Sequence, residues 1–179
     1  LDEKLYVIIS GIHGDEPAGN LAAHYFKKHS NVLVFSNINN TNKRRLNGKD
    51  INRHFDTQDE GYIQKALLHA LVQLRPYLVI SLHEDDEVDE VYAYCSDDIQ
   101  AQVKDALQDC NVKLAQHAHG DKAEDGVITT GRQPYKGTLE NALKKRNISY
   151  CTLETPSSQM DISYRADILI NVVQKLLNF

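Results

Sequence analysis

Leu5-Tyr6-Val7-Ile8-Ile9-Ser10-Gly11-Ile12-His13-Gly14-Asp15-Glu16-Pro17 joins an apolar run to a polar turn and then to the start of a helix. A short run of Val and Ile bounded by turn residues reads as a strand buried on both faces. Pro17 suits the first turn of a helix, with Asp15 as a candidate cap. Leu21, Ala22, Tyr25 and Phe26 then recur at helical spacing. The turn itself spells His-x-x-Glu, an imidazole and a carboxylate at the end of a strand, which is half of a candidate metal site.

Outward from this stretch the same alternation continues. Strands are expected at 32–35, 77–82, 91–95 and 148–153, with a short one at 112–115. Helices are expected at 63–74, after a cap at Ser96 or Asp97, at 138–146 and at 162–177. Residues 37–54 form a polar loop, long enough to suggest a functional one. Residues 116–136 read as Gly-rich and irregular. Strands alternating with helices predict βαβ units around a mostly parallel sheet with helices on both faces. In such folds, sites form beyond the carboxyl ends of the strands. His13 and Glu16 follow the first strand, His83 and Glu84 the third, and Glu154 the last, so the topology should gather them at one edge.

At 179 residues the chain suits a single catalytic domain over 1–179. A net charge of -5 argues against nucleic acid as partner, because phosphate neutralisation needs a basic surface. No apolar run approaches the roughly 20 residues that span a bilayer, so no membrane partner is expected. Cys95, Cys110 and Cys151 are scattered, with no Cys-x-x-Cys pair, and read as buried thiols in a reducing compartment. The expected localisation is cytoplasmic, with export before processing left open because the chain begins at Leu1. The chain has no Gly-x-Ser-x-Gly, P-loop or His-Glu-x-x-His, which removes those chemistries.

Two histidines and one carboxylate with an open fourth position suffice for a catalytic zinc ion. His13, Glu16 and His83 supply that set. A metal lowers the pKa of its water towards 7, and such a water needs a base, for which Glu154 is well placed. The polar loop adds Arg45, Asn52 and Arg53. One guanidinium can clamp a carboxylate bidentately, and a second can polarise a scissile carbonyl.

Four elements in order, Gly-x-His-Gly-x-Glu at 11–16, Asp-Ile-Asn-Arg-His-Phe at 50–55, Ser-Leu-His-Glu at 81–84 and Thr-Leu-Glu-Thr-Pro at 152–156, resemble the zinc carboxypeptidase superfamily. It includes the metallocarboxypeptidases and the succinylglutamate desuccinylase/aspartoacylase branch. The resemblance implies an α/β, three-layer αβα sandwich with a mostly parallel mixed central sheet, in a compact version. It implies one zinc ion on His13, Glu16 and His83, and a carboxylate clamp of Asn52 and Arg53. It gives carbonyl polarisation to Arg45, with Arg44 the alternative, and makes Glu154 the general base. Tyr135 is the candidate for the family's upstream mobile Tyr.

The implied function is hydrolysis of an amide or peptide bond beside a free carboxylate. A metallocarboxypeptidase, with a small peptide such as a cell-wall peptide as substrate, comes first. Deacylation of an N-acyl amino acid is second, and a catalytically silent metal-binding module third. The absence here of the additional C-terminal β-domain that many of the desuccinylase branch carry favours the first.

Other features read as structural. Lys43, Arg44 and Lys49 read first as part of a solvated basic loop. Residues 84–90 hold six acidic residues in seven and read as a repelling surface loop. The sharper reading is a negative rim that favours a lysine-like or diaminopimelate side chain, with Glu84 a possible support for the metal ligands. His117-x-His119 reads as a surface loop, and His24, His29, His54 and His69 have no assigned role.

Overall fold

The computed structural model describes residues 4–128, 134–157 and 161–177. Its strands are β1 (Tyr6–Ser10), β2 (Val32–Phe35), β3 (Leu78–Asp85), β4 (Tyr92–Cys95), β5 (His117–Ala118), β6 (Asp121–Glu124), β7 (Val127–Ile128) and β8 (Tyr150–Pro156). The helices are α1 (Pro17–Phe26), α2 (Tyr62–Leu74), α3 (Gln100–Gln108), α4 (Leu139–Lys144) and α5 (Ile162–Leu177). The strands form one mixed sheet in the order β2-β1-β3-β8-β4-β7-β6-β5. The four strands β2, β1, β3 and β8 are parallel, and β4 runs antiparallel to β8.

Alternation along the strands builds two cores. Tyr6 and Ile8 of β1, with Leu78, Ile80 and Leu82 of β3, pack beneath α1, α3 and α5. Val7, Ile9 and Val79 point the other way, onto Leu67, Leu68 and Leu71 of α2 and Leu139, Ala142 and Leu143 of α4. These two apolar layers make the αβα sandwich, and they explain why β1 and β3 carry no polar alternation.

Three details differ from the sequence reading. First, β3 extends through Asp85 and β8 through Pro156, so His83, Glu84 and Glu154 lie within strands and not after them. Backbone pairing with a parallel neighbour, His83 opposite Glu154 and Asp85 opposite Pro156, carries both strands past their apolar runs. Second, residues 117–128 form three short strands where an irregular segment is expected. Their loops are His119-Gly120 and Asp125-Gly126, all four residues at positive φ, which is the geometry of tight two-residue hairpins. The segment expected as a strand at 112–115 contributes one bridge, Leu114 to Val91. Third, the α1 N-cap is Glu16, not Asp15, and its side chain makes no cap bond. Ala18 N–H instead donates to Glu84 Oε2 on β3, at 2.7 Å. Glu84 Oε1 lies 2.6 Å from Arg165 Nε of α5. A carboxylate from the sheet thus satisfies the helix N-terminus.

β1 is flanked by β2 on one side and β3 on the other, so successive connections leave it in opposite directions. Such a reversal opens a crevice at the carboxyl ends of the strands, and the turn bearing His13 and Glu16 begins there.

Candidate active site

Ser81, His83 and Asp85 share one face of β3, and Tyr150, Thr152 and Glu154 the corresponding face of β8, because strand residues two apart point the same way. His83 pairs with Glu154 across β3–β8, and Glu154 with Tyr92 across β8–β4. The turn after β1 places His13 and Glu16 over this face. His13, Glu16 and His83 are all buried, and ligand atoms of the three lie within 4.8 Å of one another.

The orientation of the two rings is informative. His13 Nδ1 lies 2.6 Å from Glu16 Oε1, and His83 Nδ1 lies 2.9 Å from Glu16 Oε2. The opposite nitrogens are held from behind: His13 Nε2 lies 3.1 Å from Asp50 Oδ1, and His83 Nε2 lies 2.9 Å from Ser81 Oγ. Each imidazole therefore turns Nδ1 inward and anchors Nε2 on an acceptor, as metal-ligating histidines do. Glu16 Oε2 is buried, with no geometrically satisfied hydrogen bond among the described residues and His83 Nδ1 2.9 Å away. A buried carboxylate oxygen in that condition is costly unless a cation satisfies it. The residues present thus fit a divalent metal ion. Glu84, expected as a possible support, faces α1 and α5; Asp50 and Ser81 occupy that role.

Charge follows from this packing. Burial disfavours the charged form of His13, but hydrogen bonds to Asp50 and Glu16 outweigh it and raise its pKa to about 9. Burial likewise opposes ionisation of Glu16, but His83 and His13 together hold its carboxyl well below the usual range. Glu154 has no hydrogen bond among the described residues. Burial is the main cause that pushes it up to about 8; His83 opposes this, while Glu16, Asp85 and Glu140 add to it.

A cavity of about 370 Å³ opens over these groups. His13, Asn52, Arg53, Tyr135 and Glu154 line it, as does Arg44. Asn52 and Arg53 sit on a short 3-10 turn, Ile51–Arg53, capped by Asp50. Asn52 Oδ1 accepts from Leu139 N–H at 2.9 Å, which ties the turn to the start of α4. Tyr135 is 57% exposed at the mouth. Arg45 is solvent-exposed and outside the cavity wall, while Arg44 Nη1 lies 3.4 Å from Glu16 Oε1. The reason lies in the loop backbone. Asn39 Nδ2 donates to the carbonyls of Lys43 and Arg44, and Gly14 N–H to that of Lys43. The segment is pinned against the first motif, and the guanidinium brought to the site is Arg44's.

The close approach of 137–139 to the Ile51–Arg53 turn depends on Gly137. It lies at φ +88, and a Cβ there would come 2.2 Å from Arg53 O. Gly137→Ala is expected to destabilise the protein by at least about 1–2 kcal/mol, the cost of the left-handed backbone alone, as read by urea unfolding. An unchanged midpoint would show that this docking is not maintained in solution.

Asp85, His119 and Glu140 escaped the sequence reading. Asp85 is 6% exposed, not part of a solvated loop; Tyr92 Oη donates to its Oδ2, and His119 Nε2 lies 2.7 Å from the same oxygen. His119, expected on a surface loop, lines the cavity with Asp85, Glu87 and Tyr92. The signal for it was the Asp-Gly pair at 125–126, a strong hairpin marker that implies the folded-back strands carrying His119 inward. Glu140 of α4 also lines the cavity and accepts from Thr152 Oγ1 at 2.6 Å.

This fold recurs in solved structures. A "putative metallopeptidase" from Shewanella denitrificans OS217 matches 99% of the chain over 75% of its own length, with a TM-score of 0.76 and 21% identity. Murein-tripeptide amidase MpaA from Escherichia coli O157 matches 99% of the chain over 83% of its own, at 0.71 and 14%. Succinylglutamate desuccinylase from Chromobacterium violaceum matches 97% over 63%, at 0.65 and 18%. The fold is the zinc carboxypeptidase fold. Within it, the carboxyl ends of β1, β3 and β8 carry His13, Glu16, His83 and Glu154. No protein-family model matches the chain, and no curated protein matches it. Among the described residues no helix is long and apolar enough to cross a membrane.

Proposed function

We propose that the protein is a metal-dependent hydrolase that cleaves an amide bond beside a free carboxylate, acting as a carboxypeptidase on a small peptide. The observation that carries this reading is the convergence of His13 Nδ1 and His83 Nδ1 on Glu16, with Glu154 beside His83 across the sheet and Asn52–Arg53 lining the same cavity.

His13, Glu16 and His83 would hold one zinc ion. A bound zinc ion supplies Lewis acidity, polarising a carbonyl and making water nucleophilic near neutral pH. Arg53 and Asn52 bind the substrate carboxylate and fix which bond lies over Glu154. Arg44 adds positive charge beside the carbonyl, the role that the sequence resemblance gives to Arg45. Glu154 takes the proton of the attacking water and passes it to the departing amine. Tyr135 at the mouth covers the bound substrate.

The test is release of C-terminal residues from short peptides against cleavage of N-acyl amino acids, with metal-loaded and chelator-treated protein. Peptide turnover that chelator abolishes and zinc restores is the expected result. Cleavage of N-acyl amino acids alone would move the protein to deacylation, the reading supported by its likeness to the desuccinylase structure. No cleavage of either would overturn both.

Metal binding must displace the His13 proton, because the inward Nδ1 cannot hold both. The His13 pKa in the metal-free fold is raised to about 9, so at neutral pH a proton leaves as metal enters. Against its burial, His83 is raised too by Glu16, so apparent affinity is expected to rise at least about tenfold per pH unit below about 9 and then level off. Chelator competition at several pH values measures this, and a flat profile between pH 6 and 8 would contradict it.

A further inference from the structure

We propose that Cys95 and Cys151 are an oxidative modification site, at which a low-molecular-weight disulfide converts the two thiols into one cross-strand disulfide that staples β4 to β8. The inference is independent of the hydrolase reading.

The three cysteines are scattered in the sequence, and all are free thiols in this structure. Folding brings two of them together. Cys95, the last residue of β4, stands directly opposite Cys151 of β8 in an antiparallel ladder. Pairs in such a ladder alternate between hydrogen-bonded and non-hydrogen-bonded, and the second kind brings the side chains closer. The backbone bonds decide which kind this is. Ser96 N–H donates to Tyr150 O at 3.0 Å, so the next pair along is hydrogen-bonded. Ala93 N–H donates away from β8, to Gly126 O, and Ser149 O accepts from Val79 N–H of β3. By the same alternation, Cys95 and Cys151 turn their backbone groups away from each other. Theirs is a non-hydrogen-bonded pair, a geometry with Cα atoms about 4.5 Å apart, within the span of about 4.4–6.8 Å that disulfides bridge. Both side chains enter one apolar core, with Ala93 and Leu153, on the face of the sheet opposite Thr152 and Glu154.

The two thiols differ in access. Cys95 lines a cavity of about 320 Å³ whose walls include Ser96, Asp97, Asp98, Asn147 and Ser149, while Cys151 is fully buried. The reagent therefore meets Cys95 first. Its thiol gives a proton to water, its sulfur attacks the small disulfide, and one small thiolate leaves and takes up a proton. Cys151 then gives up its proton and attacks the Cys95 sulfur, releasing the second small thiol. Two protein thiols are oxidised to one disulfide, and the small disulfide is reduced to two thiols. Burial pushes Cys95 up to about 12, with Asp97 and Asp98 adding to it and Lys104 opposing, and burial raises Cys151 well above the usual thiol range. Exchange is accordingly slow at neutral pH and quickens as pH rises. The new bond closes a loop over residues 95–151, which holds β5, β6, β7 and α4. It ties the antiparallel end of the sheet to β8 and restricts the unfolded chain.

The experiment uses the full chain carrying Cys110→Ser, which leaves the pair as the only thiols. Folded protein is incubated with hydroxyethyl disulfide at mildly alkaline pH, quenched with acid, and read by intact mass and by thiol count in denaturant. The expected result is loss of both thiols, a mass lower by two hydrogens with no retained adduct, and full reversal by dithiothreitol. The urea midpoint should rise by about 1–2 M on oxidation and fall back on reduction. A further Cys151→Ser substitution should stop the reaction at a mixed disulfide on Cys95. A further Cys95→Ser substitution should leave Cys151 to react about tenfold more slowly than that. The main readout needs no substitution within the pair, so a variant that fails to fold does not remove it. Two stable adducts without a disulfide, or thiols that persist in the folded protein and react only after unfolding, overturn the pairing. Faster reaction at Cys151 overturns the order of attack. An unchanged or lower urea midpoint overturns the staple.

Discussion

Glu154→Gln is expected to lower kcat for amide hydrolysis by about 10²–10⁴-fold, the usual worth of a positioned acid–base group, while the protein still binds one metal ion. The reasoning is geometric. Glu154 stands opposite His83 in the sheet and is not itself a member of the candidate ligand cluster. Its carboxylate has no hydrogen bond among the described residues, so nothing but its place over the cavity defines its role. Gln preserves volume and polarity but can neither take a proton from water nor return one to an amine. A stability profile gives an independent readout. In the metal-free fold, burial pushes Glu154 up to about 8, above its range in the unfolded chain. The neutral form is thus the one that the fold favours. Its contribution is fully present below the ordinary carboxylate range and is lost as pH rises through about 8. Gln has no such proton to lose. The metal-free variant is therefore expected to gain stability relative to the parent across that interval, by urea unfolding at pH 5 and 9. Full activity in Glu154→Gln would sink the mechanism.

The second large effect is expected at a proposed metal ligand. His83→Ala should abolish stoichiometric metal binding, measured by elemental analysis after dialysis against buffered zinc. His83 is 1% exposed and turns Nδ1 towards Glu16 Oε2, an oxygen with no geometrically satisfied hydrogen bond among the described residues. Removing the ring removes one of three donors, with no alternative donor in the candidate cluster. Asp50→Asn provides the calibration. Asp50 contacts His13 from behind, through Nε2, and such supporting groups are worth about 10–100-fold in metal affinity. The loss in His83→Ala should exceed that in Asp50→Asn. If His83→Ala kept one metal per chain at this site, the ligand assignment would fail. Chelation of the parent should also lower its unfolding temperature, because a metal that binds only the folded chain stabilises it.

Much of this fold is legible in the residues. The apolar runs of β1 and β3 have no polar alternation because helices cover both faces of the sheet, and that single fact predicts a buried, largely parallel sheet. His13 and Glu16 are legible for a local reason: they sit in one turn between a strand and a Pro-initiated helix. Asp50 to Phe55 is legible because Asp50, Asn52 and Arg53 act within one turn of chain. The antiparallel end of the sheet is less so. β5 to β7 are two to four residues long and mostly polar, so periodicity gives no strand signal there; only the paired turn residues do.

What the sequence by itself determined is the list of chemically capable groups and the strand ends from which most of them project. Short-range patterns carry that information: periodicity, caps and turns. What only the tertiary structure decided is which groups meet. Glu84 and Asp85 are adjacent in sequence and acidic, yet strand alternation sends Glu84 to cap α1 and meet Arg165, and Asp85 to hold Tyr92 and His119. Arg44 and Arg45 are chemically identical neighbours, and the hydrogen bonds of Asn39 and Gly14 to this loop select the one that lines the cavity. Glu140 is one acidic residue among many until α4 docks through Gly137 and Leu139 onto the Asn52–Arg53 turn. Long-range contacts of this kind depend on the whole packed sheet and leave no local mark in the sequence.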